Sequence, residues 1–536
     1  MENKLKSSHK KYILIGGAWP YANNSLHIGH IAGLISGDVL ARYYRQIGKN
    51  VIYVSGTDCH GTPITLRAKK ENKMPKEIAE AYHKEFAECF KDMQFSYDLY
   101  SKTEDEFHKE EVKRLFKKMY DNGYIYEKKD MQPYCEHCNK FVADRELILT
   151  CPSCGNQTKG DMCDCGYEPK QEDLVNAICQ TCNNKTIQKE NLNLYLSLGK
   201  LQNKIEEYVE KNKQNWRPSS QNETEKYLKE GLPEKAVTRN LSWGVDIPIK
   251  GFEDKKMYVW IEAVLGYITA CKKICKEKGL NWEDYWKEHS DNMMYMVHGK
   301  DNITFHTIIL PALLLALEEN YKLPEHMVAT QYLNINSEKI SKSKGNGITI
   351  RQMLNEFDSD MIRYYLIGNG PEKKDSNFSI EEFKLTCNAE IVNKYGNLIN
   401  RTLKFKGLEK LPEGTVDEKI KNLIQKTYTE VSIAIEDLEF RKAVSLIREL
   451  VEEGNKFYEE RKPWEEQKED IKAFNNTIYT CATLVANLSN LYEPFMPKSS
   501  QKVRDMLKIE ASSWQYIEAN KNMKIEGVEP LFNRIK

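Results

Sequence analysis

Two short motifs carry most of the chemical information in this chain. His27-Ile28-Gly29-His30 comes early, and Lys339-Ile340-Ser341-Lys342-Ser343 lies roughly 310 residues further on. Ahead of the first, Tyr12-Ile13-Leu14-Ile15 is a β-branched and aromatic run that reads as a buried parallel strand. A glycine-rich turn then leads into an amphipathic helix with Ile28, Ile31, Leu34, Ile35 and Val39 on one side. His27 and His30 are three apart in its first turn, so they share a face. The start of a helix offers unpaired N–H groups and a positive dipole end to phosphate. Gly29 leaves room for a nucleotide against the backbone. A metal site of the H-E-x-x-H kind is disfavoured, because the spacing is i,i+3 with no intervening Glu. The second motif continues into Lys344-Gly345-Asn346-Gly347, a polar loop of the kind that closes over substrates. Two lysines three apart can hold separate phosphate oxygens as point charges. The pair of motifs, each after a strand-like run, suggests in-line displacement at the α-phosphate of ATP.

The elements that must position these groups are legible around them. Residues 10 to about 125 alternate strand-like runs (Tyr12–Ile15, Val51–Ser55) with helical patterns (Ile28–Tyr44, Lys109–Met119), the rhythm of a doubly wound sheet. A cysteine-rich region interrupts it and includes a charged helical stretch, Leu201–Lys211. The α/β pattern then resumes through Met257–Thr269, Met294–Val297 and Met327–Thr330. From about 387 long helices take over. Ile420, Leu423, Ile424, Thr427, Val431, Ile435 and Leu438 form one apolar stripe, and Val444, Ile447, Val451 and Tyr458 another, predicting an antiparallel bundle. The expected division is a Rossmann-like first half at 1–125, an insertion at 126–235, the second half at 236–330, a lysine-loop region at 331–386 and the helical domain at 387–536.

Eight of the 14 cysteines fall between 135 and 182 as Cys135-x-x-Cys138, Cys151-x-x-Cys154, Cys163-x-Cys165 and Cys179-x-x-Cys182. Such pairs near glycine and proline read as thiolate ligands, giving one or two structural Zn²⁺ sites, two favoured, with the C-x-C pair one residue tight. Cys89, Cys271, Cys275 and Cys387, in helical stretches, read as core filler, and His137 as solvent-facing. The 79 basic and 79 acidic residues cancel, so any nucleic acid must be held by local patches and stacking. The longest apolar run, Ile308–Leu317 with a proline inside, falls far below the roughly 20 residues needed to span a membrane. No secretory signal is evident. A soluble cytoplasmic protein is expected, without membrane contact, and a monomer, since no β-rich appendage follows the bundle.

The tetrad and pentad resemble the HIGH and KMSKS signatures of class I aminoacyl-tRNA synthetases, with Ile in place of Met. Ala18-Trp19-Pro20-Tyr21-Ala22-Asn23, Gly56-Thr57-Asp58-Cys59-His60-Gly61-Thr62-Pro63, Val259-Trp260-Ile261-Glu262-Ala263 and Gly299-Lys300-Asp301 with Phe305-His306 are similar to the methionyl-tRNA synthetases. The resemblance covers nearly the whole chain. It implies a class I Rossmann-like domain with an inserted zinc-knuckle module and an all-α anticodon-binding bundle. It implies ATP with Mg²⁺, L-methionine, and initiator and elongator tRNA(Met) as partners. His27 and His30, with Gly29, would face the phosphates, and Lys339 and Lys342 the leaving pyrophosphate. Asp301 would face the ribose or the amino-acid end. Asp58 would hold the α-ammonium group, and Ala18, Trp19, Tyr21, Trp260, Tyr267 and His306 would wall the thioether, with the Trp19 N–H and Tyr267 hydroxyl as weak partners for sulfur. Asn397, Asn400, Arg401 and Trp464 match anticodon-reading positions, a Trp stacking on a base while Asn and Arg read its edge. Four-knuckle members would pair Cys151, Cys154, Cys163 and Cys165 on one ion and Cys135, Cys138, Cys179 and Cys182 on the other. There are departures: Trp19 stands where many relatives have Leu, Val264 where many have Pro, and Asn302 where Ile is frequent. Sibling enzymes for Ile, Val or Leu carry long editing insertions, for which this cysteine-rich segment leaves no room. A cysteine enzyme would hold a catalytic-site zinc. A non-catalytic tRNA-binding protein would have no reason to keep both motifs.

Overall fold

The alternating runs of the first third pair as parallel strands. A computed structural model describes residues 10–160, 163, 165, 167, 169–336, 338–339 (backbone only) and 347–536. Strands β1 (Tyr12–Gly17), β2 (Asn50–Thr57), β3 (Leu99–Lys102), β4 (Asn292–Gly299) and β5 (His326–Thr330) form one sheet in the order β5-β4-β1-β2-β3. Every neighbouring pair is parallel, with Gly17 opposite Val297 and Gly16 opposite Val54. β1 is buried almost throughout because helices cover both faces. Ile13 and Ile15 pack with Ile28, Ile31, Leu34, Ile35 and Val39 of helix α1 (Ile28–Gln46). Leu14 points the other way, into a core with Val112 and Phe116 of α2 (Glu106–Asp121) and Ile261 and Leu265 of α3 (Val259–Lys278). Strand order reverses at β1, so a crevice opens at the carboxyl ends of β1 and β4, where doubly wound folds take their ligands.

The cysteine-rich segment leaves this sheet as a long antiparallel ribbon. Ile125–Cys135 pairs with Ile187–Leu196, from Ile125 opposite Leu196 to Tyr134 opposite Ile187. The cysteines lie at its far end, beside a small sheet of Leu147–Thr150, Gln157–Lys159 and Ile178–Cys179. The charged helix expected here spans Gln202–Asn212.

The C-terminal third is the helical bundle the stripes predict: α4 (Ser359–Asn369), α5 (Asn397–Leu403), α6 (Glu418–Glu436), α7 (Phe440–Arg461), α8 (Pro463–Glu469) and α9 (Ile471–Tyr492). All the stripe residues are buried except Leu423, which is partly so. The bundle is joined to α1 through a buried ionic node. Asp38 accepts from Arg42 (2.8 Å), Arg363 (2.6 Å) and the Ser96 N–H and hydroxyl (2.6 and 2.7 Å). Arg363 also donates to the carbonyls of Met93, Pro494 and Phe495. Burial alone would raise the Asp38 carboxyl, but Arg42, Arg363 and Ser96 hold it well below the usual carboxylate range. Every charge in this node has its partner, which is the condition under which a buried ion pair is tolerated. No helix among the described residues is long and apolar enough to cross a membrane.

Candidate active site

A cavity of about 460 Å³ opens at the carboxyl ends of β1, β2, β4 and β5. Two groups of residues, separately singled out in the sequence, line it together. His27, Gly29, His30 and Asp301 form one group, and Ala18, Trp19, Tyr21, Asp58, Trp260, Tyr267 and His306 the other.

In the first group His27 is the residue that starts α1. Its backbone N–H donates to His30 Nδ1 (3.1 Å), and the two imidazole rings lie 3.7 Å apart, centroid to centroid. Nδ1 of His30 is therefore an acceptor, so its neutral ring carries the proton on Nε2. The chain leaving the lysine motif returns to the same place: Ile28 N–H donates to the Ile348 carbonyl (3.1 Å), Ile350 N–H to the Leu26 carbonyl (2.9 Å), and His27 bridges Thr349. The backbone of Lys339 pairs with Asn334. Lys342 lies outside the described residues. Asp301 accepts from the Tyr332 hydroxyl, and the Lys300 ammonium sits 3.6 Å from the centre of the Tyr332 ring.

In the second group the peptide of Asp58 is clamped, its N–H donating to the Pro20 carbonyl (2.9 Å) and its carbonyl accepting from Ala22 N–H (2.9 Å). Its carboxyl is buried, and burial, with Glu262 nearby, pushes it well above the usual carboxylate range, against the opposing effect of His60. His306 stands on a π-helical turn, Phe305–Ile309, a local widening common at functional sites. Its Nδ1 lies 2.8 Å from the Asn302 carbonyl and must donate there, so Nε2 accepts from the Tyr267 hydroxyl (2.8 Å). Burial lowers His306 to about 4, which keeps it neutral. The Tyr267 proton is thus committed to His306 instead of pointing at a substrate sulfur, a departure from the sequence expectation set by the Asn302 carbonyl. Trp19 explains two nearby glycines: a Cβ at Gly56 or Gly266 would come within 2.6 Å of its indole. Trp260 meets Phe305 edge-on at 3.8 Å.

Sequence reasoning missed several neighbours. Phe305, Lys300, Tyr332 and Leu333 also line the cavity. His298, fully buried, stacks on His306 at 4.2 Å. A Gly-Lys-Asp pattern gives no hint that the residue before it faces a pocket histidine.

Far from this cavity, Arg401, Tyr458 and Trp464 form a small cluster on α5, α7 and α8. Trp464 is 41% exposed, 6.3 Å from the Tyr458 ring. Asn397 is exposed and Asn400 half-buried on the same helix as Arg401. The Arg401 guanidinium lies over Tyr458 (4.2 Å) and donates to Glu459 (2.5 Å) and Asn455 (2.9 Å). Its fork is already occupied, so it meets a ligand only by exchanging these partners.

The cysteines gather in two sets of four whose sulfurs all lie within 4.8 Å of one another: Cys135, Cys138, Cys179 and Cys182, and Cys151, Cys154, Cys163 and Cys165. Close pairs measure 3.4 Å (Cys135–Cys182), 3.9 Å (Cys138–Cys179), 3.8 Å (Cys151–Cys165) and 3.6 Å (Cys154–Cys163). A tetrahedral site with Zn–S near 2.3 Å requires sulfurs about 3.8 Å apart, so both sets fit the ion, and the C-x-C pair closes its set as well as the C-x-x-C pairs do. His137 is exposed, and the four helical cysteines are buried. Metal analysis should return two zinc ions per chain. Cys179→Ser should leave one and lower the melting temperature while ATP binding persists; two ions retained in that variant would show that Cys179 is no ligand.

Comparison with known proteins agrees with the geometry. The family model described as tRNA synthetases class I (M) matches residues 13–403, and the anticodon binding domain of methionyl tRNA ligase matches 410–529. A methionine–tRNA ligase of Alkaliphilus oremlandii is 43% identical over 529 residues, covering 98% of this chain and 97% of its own. One from Bacillus cereus is 44% identical over 531 residues, covering 98% and 96%. The solved structure of Mycobacterium tuberculosis methionyl-tRNA synthetase in complex with methionyl-adenylate superposes with a TM-score of 0.79 over 98% of this chain and 100% of that one, at 22% identity, a likeness of fold. With family models matched over 13–403 and 410–529 and relatives matched end to end, this chain belongs to the methionyl-tRNA synthetase family of class I aminoacyl-tRNA synthetases.

Proposed function

We propose that the chain is a methionine–tRNA ligase: it joins L-methionine to ATP as methionyl-adenylate, releasing pyrophosphate, and passes the methionyl group to the terminal adenosine of tRNA(Met), initiator and elongator alike. The observation that supports this is a cavity lined both by the helix start that carries His27 and His30 and by a buried carboxylate among aromatic walls. The methionine carboxylate attacks the α-phosphorus, and the enzyme's task is to align the groups and meet the charge growing on the phosphoryl oxygens. His27 and His30 donate to those oxygens. Lys339 and Lys342 follow the departing pyrophosphate, whose charge Mg²⁺ shares. Asp58 holds the ammonium group, and Trp19, Tyr21, Trp260 and the neutral Tyr267–His306 pair surround the thioether. The two cysteine sets hold zinc as structural ions. We read the enzyme as a cytoplasmic monomer.

Exchange of labelled pyrophosphate into ATP should depend on methionine, with leucine, isoleucine and cysteine far weaker. Homocysteine should enter, because an apolar pocket separates such analogues by only about 1–3 kcal/mol. Equal exchange with another proteinogenic amino acid would sink the assignment.

The anticodon reading concerns a separate module. Trp464→Ala should leave methionine-dependent exchange nearly unchanged while kcat/KM for tRNA falls tens-fold, since one lost base stack costs roughly 1–3 kcal/mol. Parallel failure of exchange would make Trp464 a core residue, and intact charging would move anticodon recognition elsewhere.

A further inference from the structure

Behind the ammonium end of the cavity lies a buried ionic cluster that the reaction described above does not use. His60 is two residues beyond Asp58 and 1% exposed. Its Nδ1 is 2.9 Å from Glu262 Oε1 and its Nε2 is 2.8 Å from Glu104 Oε2. A neutral imidazole has one N–H and could serve one of these carboxylates; two such contacts require both nitrogens to donate. Glu262 is fully buried in the first turn of α3, where the helix dipole favours its charge. Glu104 keeps a cation of its own, Lys109 at 3.3 Å.

We infer that His60 is a positioning residue for methionine binding: a cation strapped between Glu262 and Glu104 that favours the charged form of Asp58 and holds its loop toward the substrate's ammonium group. This role rests on Asp58 being the ammonium partner. Asp58 on the cavity wall and Glu262 behind it are both buried, and Glu262 raises the Asp58 carboxyl. Neighbouring carboxylates out of water share a proton unless a cation offsets them. The His60 ring, bonded to Glu262, opposes that rise, and its backbone N–H lies 3.4 Å from Asp58 Oδ1. Around it stand Glu262 from α3, Glu104 from the loop after β3, Asp58 from its own loop, and the edge of Trp243 at 5.2 Å. Beyond these lie His108, 3.9 Å from Glu262 Oε2 and bonded to the Thr269 hydroxyl, Lys76 at 3.9 Å from Glu104, and the Tyr21 phenol beside Asp58. The burial that lowers His60 is more than offset by Glu262 and Glu104, which push it up to about 10, in keeping with a ring charged at every working pH.

The test is methionine affinity, measured by equilibrium binding and by exchange, against pH. His60→Gln should weaken methionine about tenfold or more at neutral pH while the KM for ATP stays unchanged. The deficit should shrink as pH rises, because base removes the proton that Asp58 and Glu262 then share. The double variant His60→Gln with Glu262→Gln removes one charge of each sign and should recover much of the lost affinity, which a packing role would not allow. Glu262→Gln alone, a gentler change should the first variant not fold, should bind methionine at least as tightly as the unaltered chain. Unchanged affinity in His60→Gln, a double variant weaker than the single one at all pH values, or weakened binding in Glu262→Gln would each overturn the role. An unaltered chain without methionine-dependent exchange would instead overturn the function on which the role stands.

Discussion

His30→Ala will slow adenylate formation about 100- to 1,000-fold, the range typical of losing one preorganised donor to a developing oxyanion. Methionine affinity will stay within a few fold, because the ring is assigned to the phosphate and not to the ammonium group that Asp58 is expected to hold. The tautomer makes this specific. The His27 N–H occupies Nδ1 of His30, so the ring's own proton is on Nε2, the atom expected to donate to a phosphoryl oxygen as charge builds there. A donor that acts on the transition state more than on bound substrates lowers kcat and kcat/KM together. His30→Gln, which restores a side-chain N–H of similar reach, should recover part of the rate. Single-turnover adenylate formation beside equilibrium methionine binding decides the matter. Methionine affinity collapsing in step with the rate would place His30 at the amino-acid end.

Much of this site was legible because its pieces are local. A strand, a glycine-rich turn and a helix start lie within about 20 residues of one another and announce themselves by period and composition. Paired cysteines do the same, since each half of a zinc site comes from one short knuckle. What stayed hidden depends on contacts between distant segments. Nothing in Gly347-Ile348-Thr349 shows that it pairs with the chain around His27. Gly56 and Gly266 could be read as turn residues until the Trp19 indole is seen between them. His298 sits in an apolar strand, where a histidine has no periodic signature, and its role emerges from the stack on His306. The commitment of Arg401 to Glu459 and Asn455 is likewise a tertiary fact.

The join between the modules falls in the same category. The helix that presents His27 and His30 continues to Asp38, which accepts from Arg363, and to Arg42, which donates to Glu493; Arg363 donates in turn to the carbonyls of Pro494 and Phe495. A carboxylate in the middle of an apolar helix face looks like a flaw in the sequence pattern. It is where α1 is tied to the bundle by charges that are all compensated.

Asp58→Asn will raise the apparent methionine constant by roughly 30- to several-thousand-fold, since truncating one side of a buried charge pair costs about 2–5 kcal/mol. The amide keeps the shape of the carboxylate and the clamp on its peptide, so the loss reads the charge and not the fold. The pH dependence supplies an independent check. Burial, then Glu262, raises the Asp58 carboxyl well above its usual range, so below that raised value the free site holds a proton that the incoming ammonium group must displace. Methionine affinity of the unaltered chain should therefore climb as pH rises through that raised value and then level off. The Asn variant has no such proton to lose and should be flat over the same interval. ATP affinity should be alike in both proteins, because the phosphate-facing end of the cavity is untouched. A variant that keeps the slope would show the titration belongs to another group, and one that keeps methionine affinity would show that the ammonium is held elsewhere.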